Sequence, residues 1–180
     1  RSIIKKIDSL KPMPPVANRV LAIIEDPESS TDQLAAVIIN DREITANLMR
    51  ICNSAYLALS ETIESVQQGI IYLGMDQVVD LVLMTGGAEN LKGEQCGYDF
   101  REGELWKFSV SSALMARDLA QKNGSKKNHD IFAAALLKDI GKVLLDPYME
   151  SFSQEINSLV SDLGWRVIEA EKKVIGLDHA

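Results

Sequence analysis

Apolar residues recur at three- and four-residue spacing through almost the whole of this chain, a period that suits helices and excludes half-buried strands. Val16, Val20, Ile23 and Ile24 share one helical face that Pro27 follows closely. Pro14 and Pro15 stand at its start, where a missing N–H does no harm. Ser30-Thr31-Asp32-Gln33 offers a capping box for a helix burying Leu34, Val37 and Ile38. Ile44, Leu48, Ile51, Cys52 and Ala55 make the next stripe. Ile63, Val66, Ile70, Ile71 and Leu73 make another, which Gly74 stops in a left-handed cap. Asp76 is placed to cap a short apolar helix through Val78, Val79, Val82 and Leu83. There is no strand-like alternation and no internal repeat, so the expected fold class is all-α.

The clearest break in this pattern is Gly86 to Glu104, whose glycines and lost periodicity predict a long loop or linker. Beyond it Trp106, Val110, Ala113, Leu114 and Arg117 open a second helical half, and Asn123-Gly124 closes that helix. Asp130 is expected to cap a helix over Ile131–Ile140, whose alanines at 133, 134 and 135 imply close helix–helix contact. Helices near Met149–Leu163 and Trp165–Ile175 complete the picture. The predicted organisation is a helical half over 1–85, a linker over 86–104 and a second helical half over 105–180.

Composition narrows the function. With 46% hydrophobic and 25% charged residues the chain has the make-up of a soluble globular protein. Nineteen basic against 26 acidic residues give a net charge of −7. That argues against a broad nucleic-acid surface, because phosphate neutralisation supplies most non-specific affinity. No apolar run reaches the ~20 residues of a membrane helix, and no signal peptide is visible. Cys52 and Cys96 make no metal-ligand spacing; Cys52 reads as a small core residue, and a reducing cytoplasm is the expected compartment.

The stretch Ala133–Lys142, AAALLKDIGK, carries the most chemistry. An apolar helix running into His-Asp-Ile-Gly-Lys would resemble the signature of HD-domain metal phosphohydrolases, but here Lys138 stands at the histidine position before Asp139. A neutral imidazole can offer a lone pair to a metal; a protonated ammonium has three donors and no acceptor. Together with Leu10–Val20 (LKPMPPVANRV), Arg50–Leu59 (RICNSAYLAL), Ile70–Gly74 (IIYLG), Trp106–Ser109 (WKFS) and Glu171–Ala180 (EKKVIGLDHA), the chain from about Leu10 onward resembles the HD-related output domain, HDOD. That family is a non-catalytic relative of the HD hydrolases in bacterial signalling proteins. The resemblance implies an N-terminal multi-helix subdomain packed on a reduced HD-like bundle, cut short at its C-terminus where the family continues into another helix.

The same resemblance places the vestiges of the metal site. The early histidine of the pattern falls on Phe108, which has no ligating atom, and the next on Lys138, whose charge would repel a cation from Asp139. Only Asp139 and the late His179 retain ligand-capable atoms, too few to hold a catalytic metal. No catalytic residue, metal or cofactor is therefore expected. Lys138 and Asp139 need not face each other on a helix, so each is expected to pair with a partner on another helix. The alternatives are an anion or nucleotide pocket built on Lys138 and Lys142, or a Lys138 reaching out to solvent. Asn53 and Tyr56, in the NSAY segment, either satisfy nearby backbone or contact a ligand or partner. Ser109, Ser111 and Ser112 read as small residues at helix contacts, His129 as loop or cap chemistry, and His179, apart from the resemblance, as a surface histidine near a frayed end.

The implied function is a non-enzymatic bacterial regulatory module, a pseudoenzyme in the cytoplasm, acting on protein partners and on attached receiver or sensor domains, with no membrane contact. Two readings from another class stand beside it. One is a nucleotide or cyclic-dinucleotide phosphohydrolase; the other is a pseudoenzyme that senses a nucleotide.

Overall fold

The computed structural model describes residues 7–55, 57 and 62–180. The periodic segments fold as helices, and among the described residues the only extended pairing is an isolated antiparallel bridge between Gln95 and Phe100. The fold is all-α. It divides into two compact units, Pro12–Gly87 and Ala88–Ala180, the second joined by the start of the chain up to Lys11.

The Pro12–Gly87 unit holds α1 (Pro15–Glu25), α2 (Thr31–Ile38), α3 (Arg42–Cys52), α4 (Val66–Leu73) and most of α5 (Met75–Leu91). Local chemistry sets these starts. Ser30 Oγ accepts from the Gln33 N–H at 3.3 Å, while Gln33 Oε1 accepts from the Ser30 N–H at 2.9 Å. Ser65 and Gln68 repeat this box at α4, and the Asp41 carboxylate caps α3 through the Ile44 N–H. Leu34, Ile38, Ile44, Leu48, Cys52 and Ile70 are buried. Ile71 is not; it is 71% exposed, because α4 turns only Val66, Gly69 and Ile70 inward and the next position lies about 100° round the helix.

The linker expected from Gly86 is corrected at its start, since α5 runs through Gly86 and Gly87 to Leu91. A Cβ at Gly86 would lie 2.7 Å from Pro14 Cδ and 3.0 Å from Met13 Cε. The glycine is there for close packing, and the helix tolerates it. The unit boundary falls inside α5. Gly74 ends α4 with φ 87° and ψ 154°, positive but extended, so it is not the left-handed helical cap expected.

The second unit continues with a 3₁₀ turn at Cys96–Tyr98, α6 (Glu104–Lys122), α7 (Asn128–Leu137), α8 (Gly141–Ser151), α9 (Ser153–Asn157), a π turn at Ser158–Asp162 and α10 (Val167–Val174). Lys11 is held to this unit by Asn90, whose side chain brackets the Lys11 backbone N–H at 2.9 Å and C=O at 2.8 Å. Leu105, Ser109 and Ala113 are the buried face of α6, and Phe132 and Leu136 that of α7, the two helices packing along their lengths. A second cluster gathers Leu145, Met149, Ile156 and Ala170 around Tyr98, Leu159, Val160, Val174 and Ile175. The helix expected to reach Ile140 ends at Leu137, because Ile140, Lys142 and Val143 donate to carbonyls only three residues back. That tighter turn joins α7 to α8. Among the described residues no single helix is long and apolar enough to cross a membrane.

Candidate functional site

The tight turn after α7 places Asp139 at the centre of a charged cluster in the second unit. Asp139 is 4% exposed. Its Oδ1 receives the Lys142 ammonium at 2.9 Å, and its Oδ2 is in hydrogen-bonding contact with the Lys138 ammonium. The expectation that each pairs with a partner on another helix is corrected for Lys138, which meets its own neighbour, while Asp139 also meets Lys142 on α8. The 100° offset of neighbouring positions holds within a helix, whereas these two residues occupy the turn between α7 and α8. A flexible lysine stem closes the remaining gap.

Three aromatic rings roof the ammonium groups. Lys138 Nζ lies 4.6 Å from the Phe108 ring centre, and Lys142 Nζ lies 5.5 Å from Phe100, 5.7 Å from Tyr98 and 5.9 Å from Phe108. Their quadrupoles favour a cation there. Phe108 is on α6, and Tyr98 and Phe100 come from the segment around the 3₁₀ turn, so two separated stretches converge on one pair of lysines.

The other side of the cluster is built on α10. Glu171 is fully buried and accepts from the Tyr98 hydroxyl at 2.7 Å and from the His179 backbone N–H at 3.0 Å. It also faces His179 Nδ1 at 2.6 Å. His179 Nε2 points toward Asp139 Oδ1 at 3.6 Å. The His179 segment reaches this place because Gly141 has no side chain: a Cβ there would meet the His179 carbonyl oxygen at 2.5 Å. A carboxylate that orients an imidazole through Nδ1 is the arrangement that supports histidine ligands in metal sites.

Burial works to raise the pKa of Asp139, but the hydrogen bonds and charges of Lys138 and Lys142 outweigh it and hold the carboxyl below its usual range. Burial, then the hydrogen bond to Glu171 and the charges of Glu171, Asp146 and Asp139, push the Tyr98 phenol well above its ordinary value.

The cluster can be tested as a metal site on its donors. Phe108 offers no lone pair, and both Asp139 oxygens are engaged by ammonium groups. Among the described residues no group of three or more His, Cys, Asp or Glu side chains is arranged to hold a metal ion.

Phe108, Lys138, Asp139, Lys142 and His179 are thus brought together. Asn53 belongs to the other unit, and its amide is spent on backbone: Nδ2 donates to Met49 O at 3.1 Å and Ile63 O at 2.9 Å, and Oδ1 accepts from the Ile63 N–H at 2.9 Å. Tyr56 lies outside the described residues. Glu171, Tyr98 and Phe100 were not anticipated. One signal for Glu171 was available, since Val167, Ala170, Glu171 and Val174 are spaced as one helical stripe, which puts a carboxylate where an apolar residue is expected.

Comparison with known proteins gives the same frame. The family model for the HDOD domain matches residues 10–180. An HDOD domain protein of unknown function from Geobacter sulfurreducens superposes with a TM-score of 0.74 at 23% identity, over 99% of this chain and 60% of that one. A candidate phosphohydrolase from Shewanella amazonensis SB2B gives 0.69 at 20% identity, over 98% and 62% of the two chains. A candidate signal transduction protein from Marinobacter aquaeolei VT8 gives 0.70 at 20% identity, over 95% and 39%. An uncharacterized protein of Treponema pallidum is 22% identical over 144 residues, 79% of this chain and 27% of its own length. At these identities the solved structures establish the fold, and the chain spans between 27% and 62% of the length of these relatives.

Proposed function

Because this chain belongs to the HDOD family, we propose that it is a non-catalytic signal-transduction module that acts through protein–protein contact. The observation that carries this reading is the Asp139 carboxylate, with Lys138 on one oxygen and Lys142 on the other. An HD hydrolase needs a divalent ion there to generate hydroxide at neutral pH. Two ammonium groups supply the charge and no Lewis acidity. The module works with attached receiver or sensor domains in a bacterial cytoplasm, a reducing setting that suits its free thiols, Cys52 buried and Cys96 exposed.

The test is elemental analysis of protein exposed to Mn, Fe, Zn and Mg and then dialysed, alongside phosphodiester hydrolysis assays. Near-empty, inactive protein is expected. A stoichiometric ion that survives dialysis, with hydrolysis abolished by Asp139→Ala, overturns the reading in favour of a phosphohydrolase acting on nucleotides or cyclic dinucleotides. Restoring Phe108→His and Lys138→His together should raise metal affinity by calorimetry, since both side chains reach the Asp139 cluster.

One observation favours a nucleotide-sensing pseudoenzyme as a second reading. Phe108 is 46% exposed and the Lys138 side chain 43%, so a ring and an ammonium meet at the surface, suited to stacking a base and pairing a phosphate. A thermal shift with nucleotides that inorganic phosphate does not reproduce would support it; equal shifts with both would remove it.

A further inference from the structure

The net charge of this protein is not shared between its two units. Residues 12–87 contain three basic residues, Arg19, Arg42 and Arg50, no lysine, and ten acidic residues. The rest of the chain has sixteen of each sign, so the whole net charge of −7 belongs to the Pro12–Gly87 unit. The same unit carries a surface groove of about 400 Å³. Each of three elements gives it one helical face or end. Asp32, Ala36 and Ile39 come from the α2 stripe and the residue that ends it, Met49 from α3, and Glu64 and Gln67 from the start of α4. Ala36, Ile39 and Met49 make the apolar lining, with Ile39 63% exposed. Asp32 and Glu64 are the charged residues among those that line it, and both are acidic. Asp32 is fixed by the Gln67 side-chain amide, which donates to it at 3.3 Å. Ala36 also lines a second groove of about 410 Å³ against α1, so α2 is a low ridge with an open channel on each side.

The geometry points to this groove as the docking site for a basic amphipathic helix of a protein partner. Apolar side chains of such a helix, one turn apart, enter beside Ile39 and Met49, while flanking Lys or Arg residues meet Asp32 and Glu64. Small Ala36 lets the partner backbone approach the ridge. The charge decides the class of occupant: a unit at −7 repels RNA and anionic membrane and attracts a cationic peptide. This inference rests on the reading of the chain as a protein-binding signalling module, and gives that module its contact surface.

The test uses the 180-residue chain and two synthetic peptides of about four helical turns. One has leucines on one face and lysines elsewhere; the other replaces every lysine by glutamate. Binding is followed by fluorescence anisotropy and by amide chemical shifts. The lysine peptide should bind and shift resonances of Asp32, Ile39, Met49 and Gln67, whereas the glutamate peptide should not bind. Asp32→Asn with Glu64→Gln should weaken binding about fivefold or more at low salt, and Ala36→Trp should block it by filling the ridge. Glu25→Gln with Glu28→Gln removes the same charge away from the groove and should leave affinity within about twofold. Equal losses from the two double variants, or shifts scattered away from the groove, would reduce the attraction to bulk charge and overturn the site. The metal and hydrolysis measurements share no step with this titration. A dead groove on a metal-free, inactive protein leaves the signalling reading standing, and a metal-loaded, active protein removes that reading whatever the peptide does.

Discussion

Replacing Lys142 by methionine isolates what the ammonium contributes. Methionine keeps most of the side-chain volume among Tyr98, Phe100 and Phe108 and removes only the charge. The Lys142 side chain is 13% exposed and that of its partner Asp139 5%, so the 2.9 Å contact is shielded from water. Removing one member of a fully buried ion pair costs about 3–5 kcal/mol. Here Lys138 stays on the other oxygen, which leaves the loss of one charge-assisted hydrogen bond, about 2 kcal/mol. For a chain of this size that is a fall in Tm of roughly 4–8 °C. The pH dependence is a second reading of the same number. The Asp139 pKa is depressed in the folded state, so its stabilisation is present above its unfolded value of about 4 and is lost as pH falls through the folded value. The gap between wild type and variant should be full at neutral pH and narrow below about pH 4, once Asp139 is protonated. Thermal melts followed by circular dichroism across that range test both parts. A Tm within about 1 °C of wild type at neutral pH, or a gap that does not change with acid, would refute the assignment of Lys142 as the counter-ion of Asp139.

Glu171→Gln should cost about 3 kcal/mol in denaturant unfolding, since an amide puts a donor where one of the two carboxylate oxygens accepts from Tyr98 or from the His179 backbone N–H. Tyr98 should then ionise at lower pH, seen as phenolate absorbance. In the wild type the raised phenol pKa stabilises the fold below the unfolded value of about 10 and is lost above it, so a stability flat through that range would count against the contact. Gly141→Ala should lift the His179 segment off α8 at a cost of about 1–3 kcal/mol, because its Cβ would meet backbone that cannot move by rotamer change alone. The readout is the His179 imidazole resonance, expected to move toward a solvent-exposed position; an unmoved resonance would show that the close approach is absent.

Much of the fold was legible because helical burial is a local, periodic property. Leu34, Ile38, Ile44, Leu48 and Ile70 were expected in the core from spacing alone and are buried. The Ser30–Gln33 box forms as its four residues suggest. The misreadings come from tertiary contact. Gly86 reads as a helix breaker until Pro14 is seen against it, and Ile71 reads as core until α4 is seen to turn one narrow face inward.

The site divides the same way. Sequence alone determined that Phe108 has no lone pair to offer and that Lys138, while protonated, has none either, because ligand chemistry belongs to a side chain wherever it sits. It also marked Asp139 and His179 as residues with ligand-capable atoms. Only the tertiary structure decided what those residues do instead. The turn after Leu137 points Asp139 inward to both lysines, and Glu171, eight positions before His179, becomes its buried partner. Which charges meet in a low-dielectric interior depends on how separate stretches pack, and no local pattern encodes that.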